Sequence, residues 1–399
     1  MSARVLGDLC ELVVDCKNRT PPEAPQGEGV AFAIGTPHVL DGRIQLQGAK
    51  SVTQETFDTW TARAIPRVGD VVLTREAPVG RVGRVEEGMK ICLGQRTMLL
   101  RADSKRTDAK YLKYLLLSKE IQSTLHAHSS GSTVPHLRVA QVRNLPIPSV
   151  PALESQRAIG DVLGALDDKI AVNERIAVTH EKLLKLQVER MGLEVDSDPA
   201  IAMPITEFVH FNPKVSKPST EAVYVDMAAL PTGRAGIATW ARREPKGGTR
   251  FVNGDTLLAR ITPCLENGKT GYVDFMEEGE IGVGSTEFIV MRSAQGIPSE
   301  FSYFLARSNR FREHAIRNMI GSSGRQRVAA ADAANFHINR PDEKLLAEFG
   351  EVASDSFEHM RSLDRESRTL AALRDTLLPQ LMSGKLRVRE AEKIVEDAV

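Results

Sequence analysis

The feature that most constrains this chain is that it repeats itself. Gly69-Asp70-Val71-Val72-Leu73-Thr74-Arg75 matches Gly254-Asp255-Thr256-Leu257-Leu258-Ala259-Arg260 at an offset of 185 residues, and Pro78 and Pro263 keep that offset. Ser129-Ser130-Gly131-Ser132 then matches Ser322-Ser323-Gly324-Arg325 at an offset of 193, which Pro148 and Pro341 share. Isolated Gly-Asp pairs arise by chance, but ordered matches over this distance mark two copies of one module. The drift in offset corresponds to small insertions, which surface loops tolerate.

Each copy reads as a mixed domain followed by a long helix. Gly-Asp-Val-Val-Leu-Thr-Arg is a turn leading into a short buried strand, and Arg81-Val82-Gly83-Arg84-Val85 alternates as a strand does. Further strands are predicted at residues 91–93 and 97–100, with counterparts at 270–273 and 287–291. A helix from Asp108 to about Leu125, opened by an aspartate cap, has its counterpart from Pro298 to about Asn318. A Gly/Ser loop follows in each copy, and then a Pro-punctuated strand, clearest in Asn144-Leu145-Pro146-Ile147-Pro148.

From Ile159, alternating steps of four and three give Ile159, Leu163, Leu166, Ile170, Asn173, Ala177, His180, Leu184, Gln187 and Met191, the spacing of a coiled-coil seam. In the second copy the corresponding seam runs Val352, Ser356, His359, Leu363, Glu366, Leu370, Leu373, Leu377 and Gln380, with Phe349, Met360 and Leu381 helping to cover it. A helix over 153–191 would be about 58 Å long at 1.5 Å per residue. A single amphipathic helix of that length rarely stands alone in water, so the two are expected to pair antiparallel. Ile159, Leu163, Leu166, Ile170, Leu184, Leu363, Leu370, Leu373 and Leu377 are the expected pairing residues. Two readings of Asn173, His180 and Gln187 stand side by side: polar seam residues that set register, or a helix bending towards solvent.

The fold expected is α+β, with a first mixed domain at 1–151, a first helix at 152–192, a second mixed domain at 193–341, a second helix at 342–384 and a tail at 385–399. Overall charge is balanced, 52 Lys+Arg against 52 Asp+Glu, but residues 1–150 carry 20 basic and 15 acidic side chains and residues 341–399 carry 9 and 13. A lone strong DNA binder would be more basic, so any nucleic acid bound is expected to be shared with partner proteins. No apolar run reaches membrane-span length and no secretory signal opens the chain, so a cytoplasmic protein is expected. Four scattered cysteines, without Cys-x-x-Cys, argue against a disulfide framework or a structural zinc site.

Signals for catalysis are weak. Asn267-Gly268-Lys269-Thr270 resembles the end of a phosphate loop, but Pro263 stands where its first glycine belongs, and a hairpin turn is the better reading. The Asn/Asp-Pro-Pro-Tyr/Phe tetrad of adenine methyltransferases is missing. Asp226 with Glu244-Pro245-Lys246 loosely resembles a nuclease triad, against which Pro245 argues. His126, His128 and His136 lack a Cys or carboxylate at ligand spacing. No catalytic or metal-binding residue is therefore assigned.

The Gly/Ser loops are better candidates. Ser130, Ser132, Thr133, His136 and Arg138 in the first copy, and Ser323, Arg325, Gln326 and Arg327 in the second, offer hydroxyl, amide and guanidinium donors suited to phosphates and base edges. Arg75, Arg81, Arg84 and Arg96, with Arg260 and Lys269 as counterparts, form a second basic set. Arginines on a strand face serve equally in local salt bridges, and both readings remain open.

With these elements in hand, the chain resembles the specificity (S) subunits of type I restriction-modification systems. The resemblance lies in the Gly-Asp-Val-Val-Leu strand and in Leu145-Pro146-Ile147-Pro148 followed by Glu154-Ser155-Gln156-Arg157-Ala158-Ile159. It continues through Leu166-Asp167-Asp168-Lys169-Ile170 and Leu377-Leu378-Pro379-Gln380-Leu381-Met382-Ser383-Gly384-Lys385-Leu386. The second helix departs from the pattern, since Asp-Glu-Lys-Leu-Leu-Ala-Glu-Phe follows Pro341 without the glutamine.

The resemblance implies a non-catalytic subunit with two target-recognition domains that reads the two halves of a split double-stranded DNA target. Its paired antiparallel helices would act as a ruler and dock two methyltransferase (M) subunits and, through them, motor/nuclease (R) subunits. No cofactor would be bound by this chain; S-adenosylmethionine, ATP and Mg would belong to the partners, and no membrane would be involved. The alternatives are a stand-alone DNA nuclease or modification enzyme with a helical dimerisation arm, and a coiled-coil scaffold with protein-binding domains.

Overall fold

The Gly-Asp pair that marks the repeat has the same structural task twice. Gly69 and Gly254 adopt φ of +92° and +89°, a region that disfavours side chains, and each turns the chain into a buried strand. The following aspartates are almost fully buried, Asp70 at 2% and Asp255 at 0% exposure. Asp70 accepts the Arg67 backbone N–H at 2.8 Å and two bonds from the Arg101 guanidinium at 2.8 and 2.7 Å. Asp255 likewise accepts from Val252 N–H at 2.8 Å and from Arg292 at 2.6 and 2.8 Å. A carboxylate so buried needs this forked partner, and the fork ties the strand's start to its neighbour. Asp255→Asn should therefore cost about 1.5–3 kcal/mol, typical of hydrogen bonds to a charged group, measured by urea unfolding; a loss under 0.5 kcal/mol would discount the clamp.

The computed structural model describes residues 5–17, 19–40, 42–129, 135–218, 221–322 and 324–398. They form two compact units, Met1–Lys169 with Leu370–Val399, and Ile170–Thr369. In the first unit, six strands lie in the spatial order Cys10–Asp15, Thr97–Ala102, Val71–Arg75, Val79–Arg84, Gly42–Ile44 and Val39–Leu40. Pairing is antiparallel except between Gly42–Ile44 and Val79–Arg84. A smaller sheet places Ala31–Ile34 between Lys50–Val52 and a parallel neighbour, Ile91–Leu93. Val71, Val72 and Leu73 are all at 0% exposure, because both faces of that strand are covered.

The second unit repeats the plan. Val209–Phe211, Phe288–Ser293, Asp255–Ala259 and Thr270–Tyr272 form one antiparallel sheet. Ala241–Arg243, Ala222–Val225, Gly282–Gly284 and Thr249–Phe251 form another, with Ala222–Val225 parallel to Gly282–Gly284. Asn267–Thr270 is a turn leading into a strand, with Gly268 at φ +71° and the Lys269 ammonium donating to Met227 O at 2.7 Å. The Pro-punctuated segments differ between copies: His337–Asn339 pairs with Ala202–Pro204, whereas among the described residues Pro146 makes an isolated bridge to Val5.

The single helices expected after each strand group are broken in two. They run Ala109–Leu117 and Lys119–His128 in one unit, and Phe301–Arg307 and Asn309–Arg317 in the other. Ser118 and Ser308 interrupt them with extended backbone (ψ 144° and 142°), and each hydroxyl accepts an N–H of the helix that follows. Serine competes for helix backbone in this way, a local choice that apolar periodicity hides. Asp108 does cap its helix, accepting from Lys110 and Tyr111 N–H at 2.9 and 3.0 Å.

The long helices span Leu153–Arg190 and Glu343–Met382. In the first unit Ile159, Leu163, Leu166, Leu370 and Leu377 are buried, while Leu373 is half-buried. In the second, Ile170, Leu184 and Leu363 are buried. There the Asn173 amide donates to Glu366 Oε2 at 2.7 Å and Ser367 Oγ at 3.2 Å, and His180 meets Ser356 Oγ and His359 Nδ1 at 3.1 Å each. Partner number falls as residue number rises, so the two helices run antiparallel within this unit. Asn173 and His180 thus reach across to the second helix, whereas the Gln187 Oε1 is buried with no hydrogen-bond partner among the described residues.

Two expectations need correction. Val352 is 42% exposed and His359 is exposed, because here the buried stripe is Phe349, Ala353, Phe357 and Met360, which packs into the domain core. The stretch read as a tail folds as a helix, Val388–Ala398, with the Arg387 N–H bonded to Glu390 Oε2 at 3.0 Å.

Candidate nucleic-acid interface

In each unit the segment after the Gly/Ser loop returns to the end of the Gly-Asp strand. Leu137 N–H donates to Arg75 O at 2.9 Å, and His136 bridges to Glu76. In the second unit Val328 N–H donates to Arg260 O at 3.0 Å, Thr262 N–H donates to Gln326 O at 3.0 Å, and Arg327 bridges to Ile261. Both strand ends also donate outward: Arg75 N–H to Arg96 O at 2.9 Å and Arg260 N–H to Glu287 O at 3.0 Å. Three separate stretches of sequence therefore meet at one strand end, twice over.

This gathering includes some candidate residues and excludes others. In the first unit it contains Arg75, Arg96 and His136. Arg75 lies 3.4 Å from Asp15, and Arg96, at φ +75°, pairs with Glu76 at 2.9 Å. Arg81 is turned away, donating to Thr36 O at 3.1 Å, and Arg84 is held by Glu86 through bonds of 3.0 and 2.7 Å. For Arg84 the local salt bridge is what the structure shows. Arg138 is exposed at the start of the short helix Val139–Arg143, and no partner for its guanidinium is found among the described residues. Ser130, Ser132, Thr133 and Ser323 lie outside the described residues.

In the second unit Arg327 grips Glu287 through three contacts of 2.8–2.9 Å. These bonds hold the Glu287 carboxyl below its ordinary value, with the positive charge of Arg260 adding to the effect. Arg260 Nε is buried without a hydrogen-bond partner among the described residues. Arg325 is exposed and Gln326 half-buried. Lys269 is directed inward to Met227 O, away from this group.

The sequence reading missed three contributors: Glu76, Glu287 and Thr74. The Thr74 hydroxyl is buried, donates to Pro78 O at 2.7 Å and accepts from Arg81 N–H at 2.9 Å, fixing the turn beyond the strand. Glu76 was legible in principle, since it follows Arg75 in the repeated strand; Glu287 comes from a remote segment with no motif of its own. Among the described residues no cluster of His, Cys, Asp and Glu has metal-holding geometry, and no helix is long and apolar enough to cross a membrane.

Residues 2–179 match the family profile described as a type I restriction modification DNA specificity domain. The chain is 24% identical over 382 residues to the type I restriction enzyme MjaIX specificity subunit of Methanocaldococcus jannaschii, covering 86% of this chain and 83% of that protein. It is 32% identical over 190 residues to the EcoAI specificity subunit of Escherichia coli, covering 43% of this chain and 32% of that protein. The crystal structure of the type I restriction-modification S subunit from M. genitalium shares the fold, with a TM-score of 0.53, 16% identity and 95% of each chain covered. The repeat, the paired sheets of each unit and these relatives agree: residues 2–179 carry a type I restriction modification DNA specificity domain, and over most of its length the chain is similar to the specificity subunits of type I restriction-modification systems.

Proposed function

We propose that the chain reads a two-part DNA target, one part with each domain, through the segments gathered at the Arg75 and Arg260 strand ends. A specificity subunit recognises DNA and is itself non-catalytic; the proposal assigns where and how. The observation that carries it is the recurrence of the same gathering in both units, with exposed Arg138 and Arg325 beside it, neither ion-paired among the described residues. Similar frames bearing different side chains suit two different short sequences, since phosphate contacts position a duplex while base-edge contacts specify it.

The proposal extends to partners. In the second unit, Val172, Ile176, Thr179, Leu183 and Leu186 follow the four-three spacing of a helical seam on the first long helix. Val172, Leu183 and Leu186 are 37%, 55% and 57% exposed. An exposed stripe of this periodicity fits a partner helix, and methyltransferase (M) subunits are the partners proposed, with motor/nuclease (R) subunits joining through them. S-adenosylmethionine, ATP and Mg are then placed on those partners.

The test is to co-express the chain with its methyltransferase and map methylated adenines genome-wide. A two-part motif is expected. Arg138→Ala should relax one half and Arg325→Ala the other, each by about 1–3 kcal/mol of discrimination where a base edge is touched. A single uninterrupted motif, or both variants relaxing the same half, would overturn the assignment.

A further inference from the structure

The second domain carries a cleft that neither its motifs nor the repeat pointed to. It has a volume of about 580 Å³ and is lined by Lys214, Arg250, Thr249, Thr286 and Asn212 together with Gly248. One wall is the turn at 212–215, fixed by Asn212 at φ +48°, whose backbone N–H donates to Val290 O at 2.7 Å and whose Oδ1 accepts Val290 N–H at 2.9 Å. The other wall is the strand Thr249–Phe251. Thr249 Oγ1 donates to Ser285 O at 2.8 Å, and Arg250 Nη1 reaches across to Val215 O at 2.8 Å. Gly248 lets the backbones approach closely, since a Cβ there would lie 2.2 Å from Gly284 O.

The chemistry of the lining is one-sided. Lys214 and Arg250 are both exposed, and among the described residues neither is ion-paired and no carboxylate lines the cleft. Thr286 adds an exposed hydroxyl, and the next residue, Glu287, is already consumed by Arg327. The short stretch 285–287 thus joins the cleft to the Arg260 and Arg327 gathering. Two cations and a hydroxyl without a counter-charge suit a phosphate oxyanion.

We infer that this cleft holds the sugar-phosphate backbone of the bound duplex beside the half-site read by the second domain, with Lys214 and Arg250 as positioning residues. The inference rests on the DNA-reading proposal above. In the first domain, counting back from the shared Gly-Asp, Ile65 stands in place of Arg250, and Arg63, in place of Gly248, is paired with Asp15. The anchoring is therefore assigned to the second half-site.

Affinity of the chain in complex with its methyltransferase is to be measured across a salt series. The probes are a duplex carrying the mapped target and one of equal length without it. Lys214→Ala should weaken both duplexes by the same factor and lower the slope of log affinity against log salt by about 0.9, the value of one lost phosphate contact. Lys214→Glu should weaken both further, and Lys214→Ala with Arg250→Ala should remove about two contacts, with melting checked because Arg250 also holds Val215. A changed ratio between the duplexes would mean base readout and overturn the positioning role. Unchanged affinity and slope in Lys214→Ala, or inorganic phosphate bound at the cleft with DNA affinity intact, would overturn it too. If the unaltered complex shows no preference for its target, the DNA-reading proposal itself falls, a result separable from both.

Discussion

Asp167→Ala is expected to destabilise the first unit by about 3–5 kcal/mol, the cost of removing one partner of a buried ion pair. Asp167 is 5% exposed and sits on the first long helix. Its carboxylate accepts from Lys113 Nζ at 2.5 Å, Tyr114 Oη at 2.6 Å and Arg374 Nη1 at 2.7 Å, and its backbone carbonyl accepts from Arg43. Lys113 belongs to the domain helix Ala109–Leu117 and Arg374 to the second long helix, so one carboxylate fastens three helices. Without it the Lys113 ammonium, itself 6% exposed, stays buried with no counter-charge. Lys113→Met added to Asp167→Ala should recover much of the loss, because the unpaired buried ammonium is then gone and Arg374 keeps Asp375 at 2.8 Å.

The pH dependence follows from the same geometry. Burial pushes the Asp167 carboxyl up, but Lys113, Tyr114 and Arg374 outweigh it and hold it below its ordinary 3.8. A depressed carboxyl stabilises the fold above its unfolded pKa and loses that contribution as pH falls through the folded value. Denaturant unfolding at neutral and strongly acidic pH should therefore show the gap between Asp167→Ala and the unaltered protein closing in acid. A neutral-pH difference under 1 kcal/mol would show that the network does not hold the unit together.

The second large effect is expected for Leu166→Asp. Leu166 is 2% exposed, one position before Asp167 and on the apolar stripe of the same helix. Losing a buried leucine costs roughly 2–5 kcal/mol, and a carboxylate with no partner adds its own desolvation. Unfolding or insolubility at 37 °C should result, whereas Leu166→Met, which keeps the volume, should cost less than about 1.5 kcal/mol. Arg138→Ala, on the surface, should leave melting unchanged. Thermal melts of the three variants decide it: equal midpoints for Leu166→Asp and Arg138→Ala would remove Leu166 from the core.

How much of this was legible beforehand depends on the kind of force involved. The two modules and both long helices could be read because apolar periodicity and repeated motifs are local in sequence. Leu163, Leu166, Leu184 and Leu370 are buried as their spacing requires. Ser118 and Ser308 were misread because a single hydroxyl competing for backbone N–H groups leaves no periodic trace. Val352 was misplaced because its stretch packs on the domain core, so the buried stripe there is turned towards Phe349, Ala353 and Phe357. At the candidate interface, composition could nominate arginines but could not tell Arg84, neutralised two residues away by Glu86, from Arg138, which has no such neighbour. Ion pairing is decided in three dimensions. The cleft of Lys214 and Arg250 was invisible for the same reason, its walls lying more than 30 residues apart.

The Gly-Asp clamp has a wider consequence. Asp70 with Arg101 and Asp255 with Arg292 each close entirely inside one domain, and both join neighbouring strands rather than loops. The fasteners of the fold and the residues exposed for reading are therefore different sets, on different stretches of chain. Substitutions in the loops at 129–138 and 322–327 leave the clamps untouched. Under the proposed two-part reading, a lineage carrying such a chain can rewrite one half of what it reads without renegotiating the framework or the other half. On that reading, novelty in recognition is confined to short stretches, while the two buried aspartates belong to the inherited framework.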